Sequence, residues 1–317
     1  MFLSKIPFPK ALFYAILNSR SIIPIKGENM KTLLHVNYLE IPGQLDKTFA
    51  LAKRFGYDGV ELRGRYNCEG FSLKTYREEV AALKSAYPEM EIVFGQMIPI
   101  CRGTEDAVKE GMEFLQGLME WSKEACGTHL FNFFTGPVSV PGVSCNLETS
   151  GSGIALESDF EKSAAALRIL GDKAASLGQL ISLEMHNGYI HDLAAPTKKL
   201  LDMVDHDAVG ANYDHGNIVL NKNGETIAQV FEILQHKIYY AHLKNVFTVL
   251  GGNNSGGYMV TQLSQGCINQ YEVMEGLKKY LRSGIFALEY PSRGDGVYAA
   301  KVDMEYIKFL KSELSID

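Results

Sequence analysis

The sequence predicts a single closed (β/α)8 barrel, an α/β fold, and three observations carry that expectation. Eight short apolar runs recur along the chain, segments of helical periodicity separate them, and the last four runs each end on an ionisable residue. Alternating strands and helices imply parallel pairing with helices outside, and eight repeats in a chain of this length suit a closed barrel. An open doubly wound sheet would give no reason to bring charged strand ends from the fifth to the eighth unit to one point.

The first four runs are Leu33-Leu-His-Val-Asn37, Gly59-Val-Glu-Leu-Arg63, Glu91-Ile-Val-Phe-Gly-Gln-Met97 and His129-Leu-Phe-Asn-Phe-Phe134. The later four are Leu180-Ile-Ser-Leu-Glu184-Met-His186, Val209-Gly-Ala-Asn-Tyr-Asp214-His215, Ile238-Tyr-Tyr-Ala-His242-Leu-Lys244 and Gly284-Ile-Phe-Ala-Leu-Glu289-Tyr. Helical spacing of apolar residues marks 44–55, 73–85, 106–125, 160–177, 226–236, 271–281 and 302–314. Ser158-Asp-Phe-Glu161 has the form of a capping box before the longest of the apolar stretches. Residues 1–29 read as an N-terminal extension outside the barrel, which spans 30–317. Pro7, Pro9 and Lys10 crowd the short apolar piece Ala11–Leu17 and argue against a signal peptide, while Met30 stands directly before the first strand.

Composition narrows the function. A net charge of -6 offers no footprint for a nucleic-acid backbone. No apolar run reaches membrane-spanning length. The five cysteines are odd in number and lack CxxC pairing, which fits reduced thiols and a cytoplasmic location. A small molecule is the expected partner, and a homo-oligomer is compatible with this composition.

Glu184, Asp214, His242 and Glu289 are the candidate functional residues. Each ends a buried strand, where an ionisable group costs several kcal/mol unless it is paired, hydrogen-bonded or metal-bound. Four such costs at equivalent positions argue for one shared partner, and three carboxylates with one imidazole suit a divalent cation. Strand alternation places His186 on the face of Glu184, where it either donates to a substrate oxygen or holds Glu184. Lys244 stands likewise to His242, gripping substrate or pairing with an acid such as Glu289. Glu61 and Arg63 share one face, as an internal salt bridge or with Arg63 on substrate. His35, Asn37 and Gln96 are further mouth candidates, and His191 and His215 read as exterior or loop residues. Two Gly-rich segments, 135–157 and 246–264, read as lids on the catalytic side.

Gly56-Tyr-Asp-Gly-Val-Glu61-Leu, the Glu184, Asp214, His242 and Glu289 set, His242-Leu-Lys-Asn245 and Gln265-Gly-Cys-Ile-Asn269 resemble the xylose isomerase-like barrel superfamily over about 31–314. That group includes ketose 3-epimerases, hydroxypyruvate isomerase, inosose dehydratase and endonuclease IV. The resemblance implies one divalent ion, Mn²⁺ foremost with Mg²⁺, Co²⁺ or Zn²⁺ as alternatives, held by Glu184, Asp214, His242 and Glu289. It also implies that Glu184 and Glu289 are the acid/base pair of a sugar or keto-polyol isomerase or epimerase in carbohydrate metabolism. A bound cation can stabilise an enediolate, and a carboxylate on each side can remove and return the proton. Asn217 stands where the epimerases carry a substrate-binding His, and Thr248 where they carry Arg, so sugar contacts are expected to differ, with Asn217 binding a hydroxyl. A dehydratase of a cyclic keto-polyol would use the same groups. An endonuclease is disfavoured because Arg63, Gln96 and Asn217 replace the histidines of a three-metal cluster.

Overall fold

The computed structural model describes residues 30–39, 44–140, 142, 149–221, 224–250, 256–289 and 294–317. The extension expected over residues 1–29 lies outside these. Eight parallel strands close into a barrel: β1 (Lys31–His35), β2 (Gly59–Arg63), β3 (Glu91–Met97), β4 (Leu130–Phe134), β5 (Leu180–Glu184), β6 (Val209–Tyr213), β7 (Ile238–Leu243) and, after a hairpin, β10 (Ile285–Leu288). The barrel shuts where β1 pairs with β10, Leu33 opposite Ala287. Helices α1 (Leu45–Phe55), α2 (Leu73–Ala86), α3 (Glu105–Cys126), α4 (Glu157–Ser176), α5 (Ala194–Val204), α6 (His215–Ile218), α7 (Ile227–Leu234), α8 (Gln270–Tyr280) and α9 (Gly296–Glu313) connect or flank the strands. No helix among the described residues is long and apolar enough to cross a membrane.

Strand alternation divides the core in two. Outward side chains such as Phe94, Ile181 and Leu243 pack under the helices in one large cluster. Inward ones, Leu33, Val93, Leu130, Tyr240, Ile285 and Ala287, form a separate plug inside the barrel. Along each inward row the chemistry changes toward the strand's C-terminal end: Ile285 and Ala287 lead to Glu289, and Tyr240 leads to His242 and Lys244. The barrel is therefore apolar below and ionisable at its mouth.

Local chemistry fixes the helix ends. Thr104 caps α3, its hydroxyl accepting from Ala107 N at 3.3 Å, and Gly127 at φ 68° closes it in a conformation that favours glycine. The helix expected to be capped at Ser158 begins earlier. Asp159 accepts from Leu156 N at 2.9 Å and takes a forked contact from Arg102, so an acid inside the first turn does the capping.

Residues 246–264, expected as a flexible lid, contain an antiparallel hairpin of β8 (Asn245–Leu250) and β9 (Gly256–Thr261) directly after β7. Its glycine-rich tip, 251–255, lies outside the described residues, as does 143–148 in the other expected lid. Asp303 on α9 anchors the hairpin's base: it accepts from Leu263 N at 2.8 Å and from Tyr38 OH at 2.7 Å.

Burial pushes the Asp303 carboxyl up to about 6, against the lowering effect of those two hydrogen bonds. A raised carboxyl pKa gives stability that is complete below the unfolded value and is lost as pH rises through the folded one. Relative to Asp303→Asn, the native chain should therefore be more stable at pH 4 than at pH 7, by on the order of 2 kcal/mol. Urea melts of both proteins at the two pH values measure this; a difference that does not change with pH would refute it.

Candidate metal centre and active site

One imidazole nitrogen marks the centre of the site. His242 Nδ1 lies 3.2 Å from Glu184 Oε2, 3.6 Å from Glu289 Oε2 and 3.9 Å from Asp214 Oδ2. Ligand atoms from the four residues all fall within 4.8 Å of one another. On the far side of the ring, Nε2 is 2.7 Å from Glu61 Oε2. Glu61 takes the proton on Nε2, so Nδ1 faces the three carboxylates, buried and without a hydrogen-bond partner. Three carboxylate oxygens and one imidazole nitrogen around an orphaned buried atom fit a divalent cation such as Mg²⁺, Mn²⁺ or Zn²⁺. A carboxylate that fixes the tautomer of a ligating histidine is a recurrent device in such centres.

Buried amides hold each carboxylate in place. Asn132 donates to Glu184 Oε2 at 2.6 Å and to Glu61 Oε1 at 3.1 Å, and is itself oriented by Asn212 at 3.0 Å. Asn37 donates to Glu289 Oε1 at 2.7 Å. Asn217 donates to Asp214 Oδ2 at 2.7 Å, to Met185 O at 2.9 Å and to Glu184 Oε1 at 3.3 Å. Asp214 also caps α6 by accepting from Asn217 N. His191 contacts the Glu184 carbonyl through Nδ1 at 2.5 Å and Thr135 through Nε2. Lys244 Nζ lies 2.8 Å from both Asp214 Oδ2 and Glu289 Oε2.

Burial opposes charge on every member of this set, and the neighbours decide the outcome. Burial would raise the Glu61 pKa, but the His242 and His35 imidazoles bring it well below the usual carboxylate range. Glu184 is also lowered, with His242 outweighing burial. Glu289 falls well below its ordinary value because Lys244 and then His242 overcome burial. Asp214 goes the other way: burial lifts it to about 6 in spite of Lys244. Burial would lower His242 and Lys244, yet Glu61 and Glu184 raise the first, and Asp214 and Glu289 raise the second. The carboxylates around His242 therefore favour positive charge at Nδ1, from a proton or from a metal ion.

The structure thus brings together Glu184, Asp214, His242 and Glu289. Lys244 makes the expected pair with Glu289 and a second one with Asp214. Asn217, expected at a substrate hydroxyl, has its amide engaged by two carboxylates and a carbonyl. His186 faces the cavity but bonds Asn187 O and packs edge-on against Phe134 and Tyr189, while His191 holds the backbone at Glu184. Among the described residues Glu61 pairs with His242 and His35 rather than with Arg63, whose guanidinium donates to Asn37 at 2.9 Å. Asn37 is where expected, at the mouth. His191 and His215 are buried instead of exterior, His215 stacked on Tyr213. Sequence reading missed the roles of Glu61, Asn132, Asn212 and Tyr240, whose hydroxyl donates to Glu61 at 2.7 Å. The signal was present for Asn132 and Asn212, each a polar residue inside an apolar run.

Above the site opens a cavity of about 1000 Å³. Glu184, Glu289 and Lys244 line it, whereas Asp214 and His242 lie behind. A parallel barrel with its polar cavity at the C-terminal ends of the strands is the layout of barrel enzymes. This chain belongs to the xylose isomerase-like TIM barrel family, whose model matches residues 49–312. An inosose dehydratase from Lacticaseibacillus casei is 32% identical over 90 residues, 28% of this chain and 30% of that protein. This chain therefore matches under a third of the length of that curated relative. A xylose isomerase-like barrel protein from Mycobacterium smegmatis, solved in complex with magnesium, superposes at TM-score 0.72 with 17% identity, covering 91% of this chain and 99% of that one. D-allulose 3-epimerase from Methylomonas sp. superposes at 0.68 with 17% identity, over 89% and 98%. At such identities the two structures establish the shared fold.

Saturating Mn²⁺, Mg²⁺, Co²⁺ or Zn²⁺ is expected to raise the melting temperature, since an ion held by four strands binds only the folded chain. No shift with any of the four would remove the proposed centre. Glu61→Gln is expected to weaken the metal affinity by about 10- to 100-fold in a calorimetric titration; unchanged affinity would show that Glu61 does not orient His242.

Proposed function

We propose that this protein is a divalent-metal-dependent isomerase or epimerase of a small sugar or keto-polyol, with Mn²⁺ as the favoured ion. One observation carries the reading: of the four clustered residues, Glu184 and Glu289 line the cavity and Asp214 and His242 do not. The first two are placed to meet substrate as well as metal, the other two to hold metal alone.

The bound cation would supply Lewis-acid stabilisation of the negative charge that develops on a hydroxyketone as it enolises. The chain supplies the rest. Glu184 projects from β5 and Glu289 from the end of β10, so they approach a molecule in the mouth from different sides. Both carboxyl pKa values are lowered, so whichever side chain acts as base is ionised at neutral pH. That base takes the carbon-bound proton, and the other carboxyl group, entering the turnover with a proton of its own, gives that proton to the neighbouring carbon or to the opposite face, so the two exchange protonation states. Asn132, Asn217 and Asn37 fix the orientation of these carboxylates, which proton transfer over a short distance requires. Lys244, two residues past His242, is positioned to contact a substrate oxygen, and Arg63 and His186 complete the polar contacts at the mouth.

Dehydration of a cyclic keto-polyol is the second reading. His186 favours it: this imidazole lines the cavity two residues beyond Glu184 and offers a proton donor for a departing hydroxyl. The partial similarity to inosose dehydratase points the same way.

In deuterated water with Mn²⁺, the enzyme should place deuterium on the carbon beside the carbonyl of a suitable ketose or keto-inositol. Accumulation of an unsaturated ketone would identify the dehydratase. Glu289→Gln should retain metal, as read by thermal shift, and lose exchange by about 10²- to 10⁴-fold, because an amide cannot accept the proton. Exchange at the native rate in that variant would falsify the assignment of Glu289.

A further inference from the structure

We infer that the substrate carries a second, uncharged ring, which binds on an aromatic subsite away from the polar floor; this rests on the proton-transfer reading above. Size is the first argument. The cavity, at about 1000 Å³, lies at the upper end of the roughly 300–1,000 Å³ found for pockets that enclose drug-sized ligands. A six-carbon polyol of about twelve heavy atoms would leave most of that space to water.

The walls give the second argument. Tyr66 and Phe71 from the segment after β2, and Phe114 from α3, form one side. Phe134 at the end of β4 and Tyr189 after β5 form another, and Tyr258 reaches in from the hairpin. Tyr66 and Phe71 stand edge-on at 5.8 Å, and Phe134 and Tyr189 lie tilted at 5.3 Å, so the rings brace one another. They are only half-buried, and Tyr258 is 57% exposed. Side chains of this size left facing a water-filled space mark a binding surface, and a flat group with apolar faces, a pyranose or an aromatic ring, is their natural complement.

Charge gives the third. Among the described residues each cation at the cavity wall has a partner: Lys244 two carboxylates, Arg63 the Asn37 amide oxygen, and Arg65 both Glu110 at 3.9 Å and the face of Phe114 at 4.6 Å. Nothing in this arrangement selects a phosphate. The reacting hydroxyketone lies on the floor between Glu184 and Glu289, and its ring substituent extends toward Tyr66 and Phe114.

The test uses the metal-loaded full-length protein and four probes: a ketohexose, its 6-phosphate, and its 6-O-phenyl and 6-O-glucosyl derivatives, which leave the ketone free. Deuterium exchange with a phenyl or glucosyl conjugate should show kcat/KM at least about tenfold above the bare ketose, mainly through KM. A higher rate with phenyl marks an aromatic substituent, and with glucosyl a second sugar. Tyr66→Ala or Phe114→Leu, the latter keeping an apolar group in the packing of α3, should reduce that ratio about tenfold. Equal rates for bare and conjugated ketose, preference for the phosphate, or a ratio unchanged in both variants would overturn the inference. Calorimetric titration with phenyl β-glucoside, which has no ketone to react, reads the subsite without turnover. Binding that is weakened in either variant supports the subsite even if no probe exchanges, an outcome that would sink the isomerase reading alone; no binding to the native protein counts against the subsite.

Discussion

Four carboxylates meet at the barrel mouth, each less than a tenth exposed, and the rest of the site answers that concentration of negative charge. Glu61, Glu184, Asp214 and Glu289 are all buried, and the basic side chains interleaved with them are His242 and Lys244, with the His35 imidazole 3.6 Å from Glu61. An unpaired carboxylate in such a setting would cost several kcal/mol, and four together would cost more than a domain's net stability. The chain spreads the cost over amides that donate inward, a histidine whose two nitrogens face opposite acids, and a lysine stretched between two carboxylates. Negative charge still exceeds positive, which is the electrostatic condition for holding a divalent ion.

That condition also orders the site by depth. Tyr240, His242 and Asp214 lie behind the cavity wall, while Glu61, which fixes the ring of His242, lines the cavity with Glu184, Glu289 and Lys244. Above this floor the walls change from carboxylates and amides to rings. Each layer comes from successive positions on the same strands or from the loops that follow them. A (β/α)8 barrel can therefore keep its layer of clustered carboxylates while its loops alter what enters.

Much of this was legible in the chain because a parallel strand buried on both faces is a continuous apolar run, and an ionisable residue at its end stands out. The runs at Leu180, Val209, Ile238 and Gly284 marked the strands and the four ionisable residues that cluster at their ends. Glu61 was visible but was matched to Arg63, its neighbour on the same strand, because partners across the barrel cannot be read from spacing along one strand. His191 was hidden for the related reason that it sits in a loop, and only the path of that loop brings it under the Glu184 carbonyl. The hairpin at Asn245–Thr261 was obscured by its glycines: a turn sequence between two short runs resembles a flexible loop until the six-residue register of β8 against β9 is known. The start of α4 was misplaced because Asp159 serves both as cap and as partner of Arg102, and the second duty is not written locally.

Gly216 lies one residue from the Asn217 that supports Asp214, and a Cβ there would come within 2.3 Å of Lys244 Cγ. The lysine reaches its two carboxylates by passing over a backbone that has no side chain at that point. Positions 216 and 244 therefore form a steric unit although they lie on different elements, α6 and the end of β7. In an aligned set of relatives the two should covary: a long cation at the second should occur with glycine at the first, and a shorter residue at the second should release the first to carry a side chain. Where the two do covary, the pair marks the relatives in which a lysine bridges two of the clustered carboxylates.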